Sequence, residues 1–274
     1  MNEKTLEILK RERENKFSFE GVEKEQLLND LLDNIGHLDS EIRDRLIYPC
    51  LAHLLHDKIF DNMLLVKITK ELISNKYLTY DLENTEEYSV LRRSFTLLQL
   101  VILVYVHNRD GLFEDSLFEN IYDNFMDYFG KELILTGYKK EVGWMHSIAH
   151  SADLFAQIFK SKELKENQAE EAMISIRDKF VISSYNYVSD EGERMTTAIV
   201  NLIKREILSQ EFWLKWIADF ETYPKVSDYP QVYILKNNRK YLLSALYFRL
   251  SSVPESEYLL EPLKKAIIDT EAIK

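Results

Sequence analysis

Cysteine, proline and glycine are all scarce in this 274-residue chain, which holds one Cys, five Pro and seven Gly. A single thiol, Cys50, excludes an internal disulfide and any cysteine-based zinc site, and it suits a reducing compartment. Its neighbours Ile47, Leu51 and Leu54 mark it as a small core residue rather than a nucleophile. Few glycines and prolines leave few positions with φ > 0 or a locked φ, as long helices joined by short polar loops require. Basic runs are missing too: none is longer than the pairs Arg92-Arg93 and Lys264-Lys265. Lys+Arg total 35 and Asp+Glu 46, a formal net charge of −11, and that field repels a phosphate polymer. Nucleic acid is therefore not an expected partner. The most apolar stretch, Phe95–Val106, contains Gln99 and is about half the roughly 20 residues a bilayer demands, so it reads as a buried helix. Met1–Lys16 is charged throughout, without the apolar core of a signal peptide. These absences lead to the expectation of a soluble, acidic, cytoplasmic protein with no membrane partner. A P-loop, a Gly-rich dinucleotide turn and a Gly-x-Ser-x-Gly elbow are also absent, so the common enzyme classes leave no trace.

What is present is helical periodicity. Apolar residues recur at spacings of three and four, and sustained alternation is rare. The pattern predicts helices near 2–14, 22–35, 39–57, 61–75, 86–107, 114–130, 141–160, 166–184, 190–207, 209–221, 228–252 and 255–269. Asp39, Asp61 and Asp190 stand where a side chain can accept from first-turn amides. Ser209-Gln210-Glu211 opens the segment with Trp213 and Trp216, and Asp228 precedes Pro230, which a first turn tolerates. Pro49 falls inside 39–57 and should kink or split that helix. Paired, the ten middle segments give hairpins starting near 22, 61, 114, 166 and 209, a spacing of roughly 47 residues, as in HEAT-like repeats. The expected architecture is all-α: an irregular solenoid of paired antiparallel helices, about ten to twelve of them, forming one domain over residues 1–274. The Tyr-rich links at 77–85 and 185–190 are too short for flexible domain boundaries.

The densest polar cluster is Gly143-Trp144-Met145-His146-Ser147-Ile148-Ala149-His150-Ser151-Ala152-Asp153. On one helix at about 100° per residue, His146, His150, Asp153 and Gln157 share a narrow stripe, with Trp144, Ile148, Phe155 and Phe159 opposite, on the side expected to be core. Two imidazoles one turn apart and a carboxylate can bind a divalent metal, and a His beside an Asp can act as a general base. The same stripe also reads as the polar side of an amphipathic helix. The Glu that metalloprotease helices carry directly after the first His is missing. A second stripe, Tyr88, Arg92, Thr96 and Gln99, runs along an otherwise apolar helix. There Arg92 is either a cationic anchor for a carboxylate or phosphate, or one half of a structural ion pair. A third, Asp190, Arg194, Asn201 and Arg205, reads as structural. Glu41–Arg45 reads as a solvated face with local ion pairs, although Asp44 and Tyr48 are placed to face a groove. Tyr241–Phe248 reads as core packing, because no basic surround makes it a stacking surface.

At Gly143–Leu154, and at Arg43-Asp44 with Ile47-Tyr48 and Tyr241–Tyr247, the sequence resembles a bacterial family known as domain of unknown function 2785. The family pattern carries a small residue, often Gly, where Ser151 stands. The resemblance implies an all-helical bacterial protein, groups Trp144, His146, His150 and Asp153, and implies no activity. The expected function is accordingly a binding module that presents a polar groove to a protein or small ligand. His146, His150, Asp153, Gln157, Arg92 and Tyr88 are its candidate ligand-binding residues, and no cofactor is required. The alternative is a metal-assisted hydrolase, with a divalent metal on His146, His150 and Asp153.

Overall fold

The computed structural model describes residues 1–83, 86–223, 225–226 and 228–270. Asn84 and Thr85, at the end of the 77–85 link, lie outside that set. The fold is all-α, with one two-stranded hairpin among the described residues. The chain divides into two compact units, Met1–Leu154 and Phe155–Lys274.

In the first unit, α1 (Glu3–Glu14) and α2 (Lys24–Asp33) precede a bent helix. That helix runs from α3 (Ser40–Ile42) through a π-helical turn, Arg43–Ile47, into α4 (Tyr48–His56). The distortion expected from Pro49 is this wide turn. Proline has no N–H to return and its ring crowds the carbonyl four residues back, so the backbone widens before it. Next come α5 (Asn62–Leu72), α6 (Ser89–Asp110), α7 (Asp115–Lys131) and the hairpin of β1 (Tyr138–Lys139) and β2 (Gly143–Trp144). Helix α8 (Ser147–Ile158) follows and straddles the unit boundary. Asn2, Asp39 and Asp61 cap their helices, accepting from Thr5, Glu41 and Leu64 amides at 2.8, 2.9 and 2.8 Å. Gly111, at φ +71°, ends α6 in the left-handed conformation that needs no Cβ.

Helix α6 forms the spine of this unit. α4 and α5 pack on it, and α1 and α2 pack on α4. It is long and apolar enough to cross a membrane, but 83% of its most apolar window is buried inside the protein, as the Phe95–Val106 stretch predicts. Leu97, Leu100, Leu103 and Val104 are fully buried with Leu51, Leu54, Leu55, Phe118 and Phe125.

The second unit contains the rest of α8, then α9 (Glu166–Phe180), α10 (Glu191–Ile203), α11 (Gln210–Ala218), α12 (Tyr229–Leu250) and α13 (Leu260–Thr270). Short 3₁₀ turns at Asp219–Glu221 and Pro254–Leu259 extend α11 and lead into α13. α12 packs on α10 and α13, while α11 packs on α9 and α13. Ser209 caps α11 through Phe212 N–H at 3.0 Å. Asp190 does not cap α10: it sits at φ +72° and its carboxylate pairs with Arg194 at 3.0 Å. Asn201 and Arg205 tie α10 back to the end of α8 through the Ala156 and Phe159 carbonyls, at 3.1 and 3.4 Å. The third polar stripe is therefore engaged internally.

Candidate functional site

Residues 141–160 are not one helix. Val142 N–H returns to the Lys139 carbonyl (3.3 Å) and Gly143 takes φ +76°, the combination that closes a three-residue hairpin loop. A Cβ on Gly143 would stand 2.8 Å from Ser40 Cβ, so the approach to α3 also needs glycine. His146 then adopts φ +47° ahead of the first turn of α8. Ser147 holds that start in place by donating to the Ile134 carbonyl at 2.7 Å. The shared helical face expected for His146, His150 and Asp153 is thus replaced by a turn followed by a helix.

The turn still brings the two histidines together. Their ring centroids lie 5.4 Å apart, and His150 N–H closes the first turn onto the His146 carbonyl at 2.9 Å. Both rings are buried, at 7% and 5% exposure. Trp144 stacks on His146 at 4.4 Å and 10°, and Tyr138 meets the Trp144 edge at 4.8 Å. His150 Nδ1 lies 3.0 Å from the Ser94 carbonyl of α6, which can only accept, so Nδ1 carries the proton. The Phe95 ring meets His150 edge-on at 5.5 Å, and the Arg43 guanidinium stacks over Phe95 at 4.7 Å.

Arg43 is the anchor of this cluster. It is fully buried and donates to the carbonyls of His37 (2.9 Å), Leu38 (3.5 Å), Val142 (2.7 Å) and Trp144 (3.2 Å). Its Nε lies 2.8 Å from Asp44 but not along a hydrogen-bond direction. Burial lowers the Arg43 pKa against the pull of Asp44, and burial likewise raises that of Asp44. A second buried cation, Arg93, makes a two-pronged pair with Glu132 at 2.7 and 3.0 Å and also donates to Ser89 and the Tyr80 carbonyl. Fully buried Tyr128 has its phenol pKa pushed well above the ordinary value, first by desolvation and then by Glu132.

Asp153 is partly exposed on α8, and among the described residues no three His, Cys, Asp or Glu side chains gather where they could hold a metal. Gln157 lies beyond Leu154, in the second unit. Arg92 donates to the Asp33 carbonyl at 2.9 Å and stacks over Tyr80 at 4.9 Å, so it fastens α6 to the end of α2. Tyr88 is the partly exposed N-cap residue of α6.

A groove of about 650 Å³ opens in the second unit, and none of the residues the sequence singled out as ligand contacts lines it. Glu193 of α10 and the loop residues Asn186 and Val188 form one wall. Lys240, Tyr241, Ser244, Phe248 and Arg249 of α12 line it from the other side. Buried Asn238 fixes the loop: it accepts from Tyr187 N–H at 2.9 Å and donates to the Tyr185 and Ile182 carbonyls at 2.8 and 3.3 Å. A Cβ on Gly192 would stand 2.9 Å from the Tyr241 ring, so glycine lets that tyrosine lie against α10. Within Tyr241–Phe248, the expected core packing holds for Leu242, Leu243 and Leu246, whereas Tyr241, Ser244, Ala245 and Phe248 line the groove. Phe248 is 74% exposed and Val188 73%. Little of this was readable in the sequence, because Lys236, Asn237, Asn238, Arg239 and Lys240 interrupt the apolar residues of α12 and no single buried face stands out.

The fold and these two clusters define an all-helical protein with a rigid polar node in one unit and an open groove in the other. The chain belongs to the family described as protein of unknown function (DUF2785), whose model matches residues 78–248. Comparison with curated proteins and with solved structures returns no match. The matched span contains the hairpin, His146 and His150, Arg93 and most of the groove.

Proposed function

We propose that this protein is a helical-repeat binding module without catalytic activity, and that its ligand occupies the α10–α12 groove. One observation carries the reading: an open groove lined by both apolar and polar side chains, whose loop is held by a buried asparagine clamp. A cleft of this volume, with aromatic walls and a few placed polar groups, is typical of ligand sites. Packing between alternate helices, α9 on α11, α10 on α12 and α11 on α13, supports the repeat reading. The histidine cluster serves the fold in this account. Trp144 stacks on His146, His150 meets the Ser94 carbonyl, and Arg43 holds the Trp144 carbonyl, so the cluster ties the hairpin to α6. A metal-assisted hydrolase needs three or more ligands in one place, and the described residues supply no such group.

The test is a thermal-shift screen of metabolite and peptide collections against the wild-type chain and a Ser244→Trp variant. The indole fills the groove from the α12 side. Ligands that raise the wild-type midpoint and leave the variant unmoved support the proposal. An absence of stabilising ligands, or equal shifts in both proteins, overturns it.

A further inference from the structure

Helix α12 departs from the rest of the chain in two ways. Its 22 residues include Lys236, Arg239, Lys240 and Arg249 and no Asp or Glu, although acidic residues outnumber basic ones in the whole protein, 46 to 35. It also leaves large apolar side chains uncovered. Tyr229, Tyr233 and Phe248 are 78%, 54% and 74% exposed. Tyr229, Tyr233, Asn237, Lys240, Ser244 and Phe248 succeed one another at three- and four-residue steps, so they form one row along the helix. The row is about 28 Å long, at 1.5 Å per residue. It therefore runs past the groove, which begins at Asn237 on this helix. A small molecule enclosed by the groove would leave Tyr229 and Tyr233 bare.

We infer that the occupant is an amphipathic α-helix of a partner protein, laid along α12, with apolar residues against Tyr233, Ser244 and Phe248 and carboxylates beside Lys240 and Arg249. The inference rests on the groove reading above and specifies its ligand. Apolar anchors at i, i+4 and i+7 are how a helix fills such a channel. Charge complementarity sets the sign. Glu193 is the one carboxylate lining the groove among the described residues, with Asp190 and Glu191 close enough to act on Tyr241, and Lys240 and Arg249 line it from α12. Arg249 is braced on the groove wall by donating to Thr197 Oγ1 at 3.3 Å. The overall charge of −11 opposes an acidic partner at long range, but salt screens it beyond about 8 Å at physiological ionic strength, so the adjacent cations decide.

The experiment uses the full chain and three fluorescein-labelled, end-capped model helices. They share a Leu/Ala stripe and carry Glu, Gln or Lys on the flanks. Anisotropy titrations at 0.15 M salt are expected to rank them Glu, then Gln, then Lys, with about tenfold separating the first from the last. Lys240→Glu/Arg249→Glu should reverse the ranking, and Phe248→Glu, an exposed and fold-neutral change checked by circular dichroism, should weaken all three. Preference of the wild type for the Lys helix, no binding of the Glu helix, or indifference to Phe248→Glu overturns the inference. So does a self-association that Phe248→Glu abolishes, since the row would then be covered by a second copy. If ligands sensitive to Ser244→Trp exist while the Glu helix fails to bind, only the occupant is wrong. If Ser244→Trp changes nothing for any ligand, the groove reading falls as well.

Discussion

Removing Arg93 while leaving Glu132 in place should be among the most damaging single changes in the first unit. Both side chains are essentially inaccessible, at 0% and 1% exposure, and their two bonds are 2.7 and 3.0 Å. Arg93→Met keeps most of the aliphatic volume but takes the cation from a buried carboxylate that also accepts from Ile134 N–H at 2.9 Å. Breaking one side of such a pair costs about 3–5 kcal/mol. It also leaves the Tyr80 carbonyl and Ser89 without their guanidinium partner. For a unit of this size about 2–4 °C is lost per kcal/mol, so the midpoint should fall by roughly 6–20 °C. The double change Arg93→Met/Glu132→Leu removes both charges and should recover much of the loss, because the pair's attraction is largely offset by desolvation. Urea unfolding followed by circular dichroism for the wild type, both singles and the double gives the coupling directly. A single variant within 1 kcal/mol of wild type, or singles whose losses simply add in the double, would refute the reasoning.

Four further outcomes are expected. Gly143→Ala should destabilise by about 2 kcal/mol, since it meets both a positive φ and Ser40, whereas Gly111→Ala has open space and should cost about 1 kcal/mol in thermal or urea unfolding. Cys50, buried and with its thiol pKa pushed up to about 12 by desolvation, should resist alkylation in the native protein and react fully in denaturant. Asn238→Ala loses three buried bonds and should cost about 3 kcal/mol, and hydrogen exchange should report the opening of the 182–187 loop. Burial raises the Glu191 carboxyl pKa, so above the ordinary carboxylate value the folded state holds more proton than the unfolded one. That contribution to stability is lost as pH rises through the raised value, and Glu191→Gln should flatten the stability-versus-pH curve there. An unchanged slope in urea titrations across that window would contradict the assignment.

Helices were legible wherever an apolar face repeats over a long stretch without a competing backbone signal. α6, α7 and α12 lie close to their expected spans because burial of one or more faces is a local, periodic requirement. The hairpin was not legible, because Val142, Met145, Ile148 and Ala149 keep helical spacing through it while Gly143 alone marks the turn. The histidine pair was found for an incomplete reason. Its members meet through a turn and a helix start, and Asp153 does not join them in a metal-holding group. Arg93 and Arg43 went unnoticed as buried residues, since sequence spacing does not reveal a partner 39 positions away or a carbonyl 99 positions away.

Composition and periodicity by themselves determined that this chain is all-α, that its one thiol is a core residue and that Pro49 disturbs its helix. Each of these follows from local sterics or from the need of nearby residues to leave water. Only the tertiary structure decided which arginines are sealed in, which face of α12 stays open, and that the groove lies at α10 and α12 rather than at the histidines. Those outcomes depend on which distant helices pack together, and the spacing of residues along one helix does not encode its neighbours.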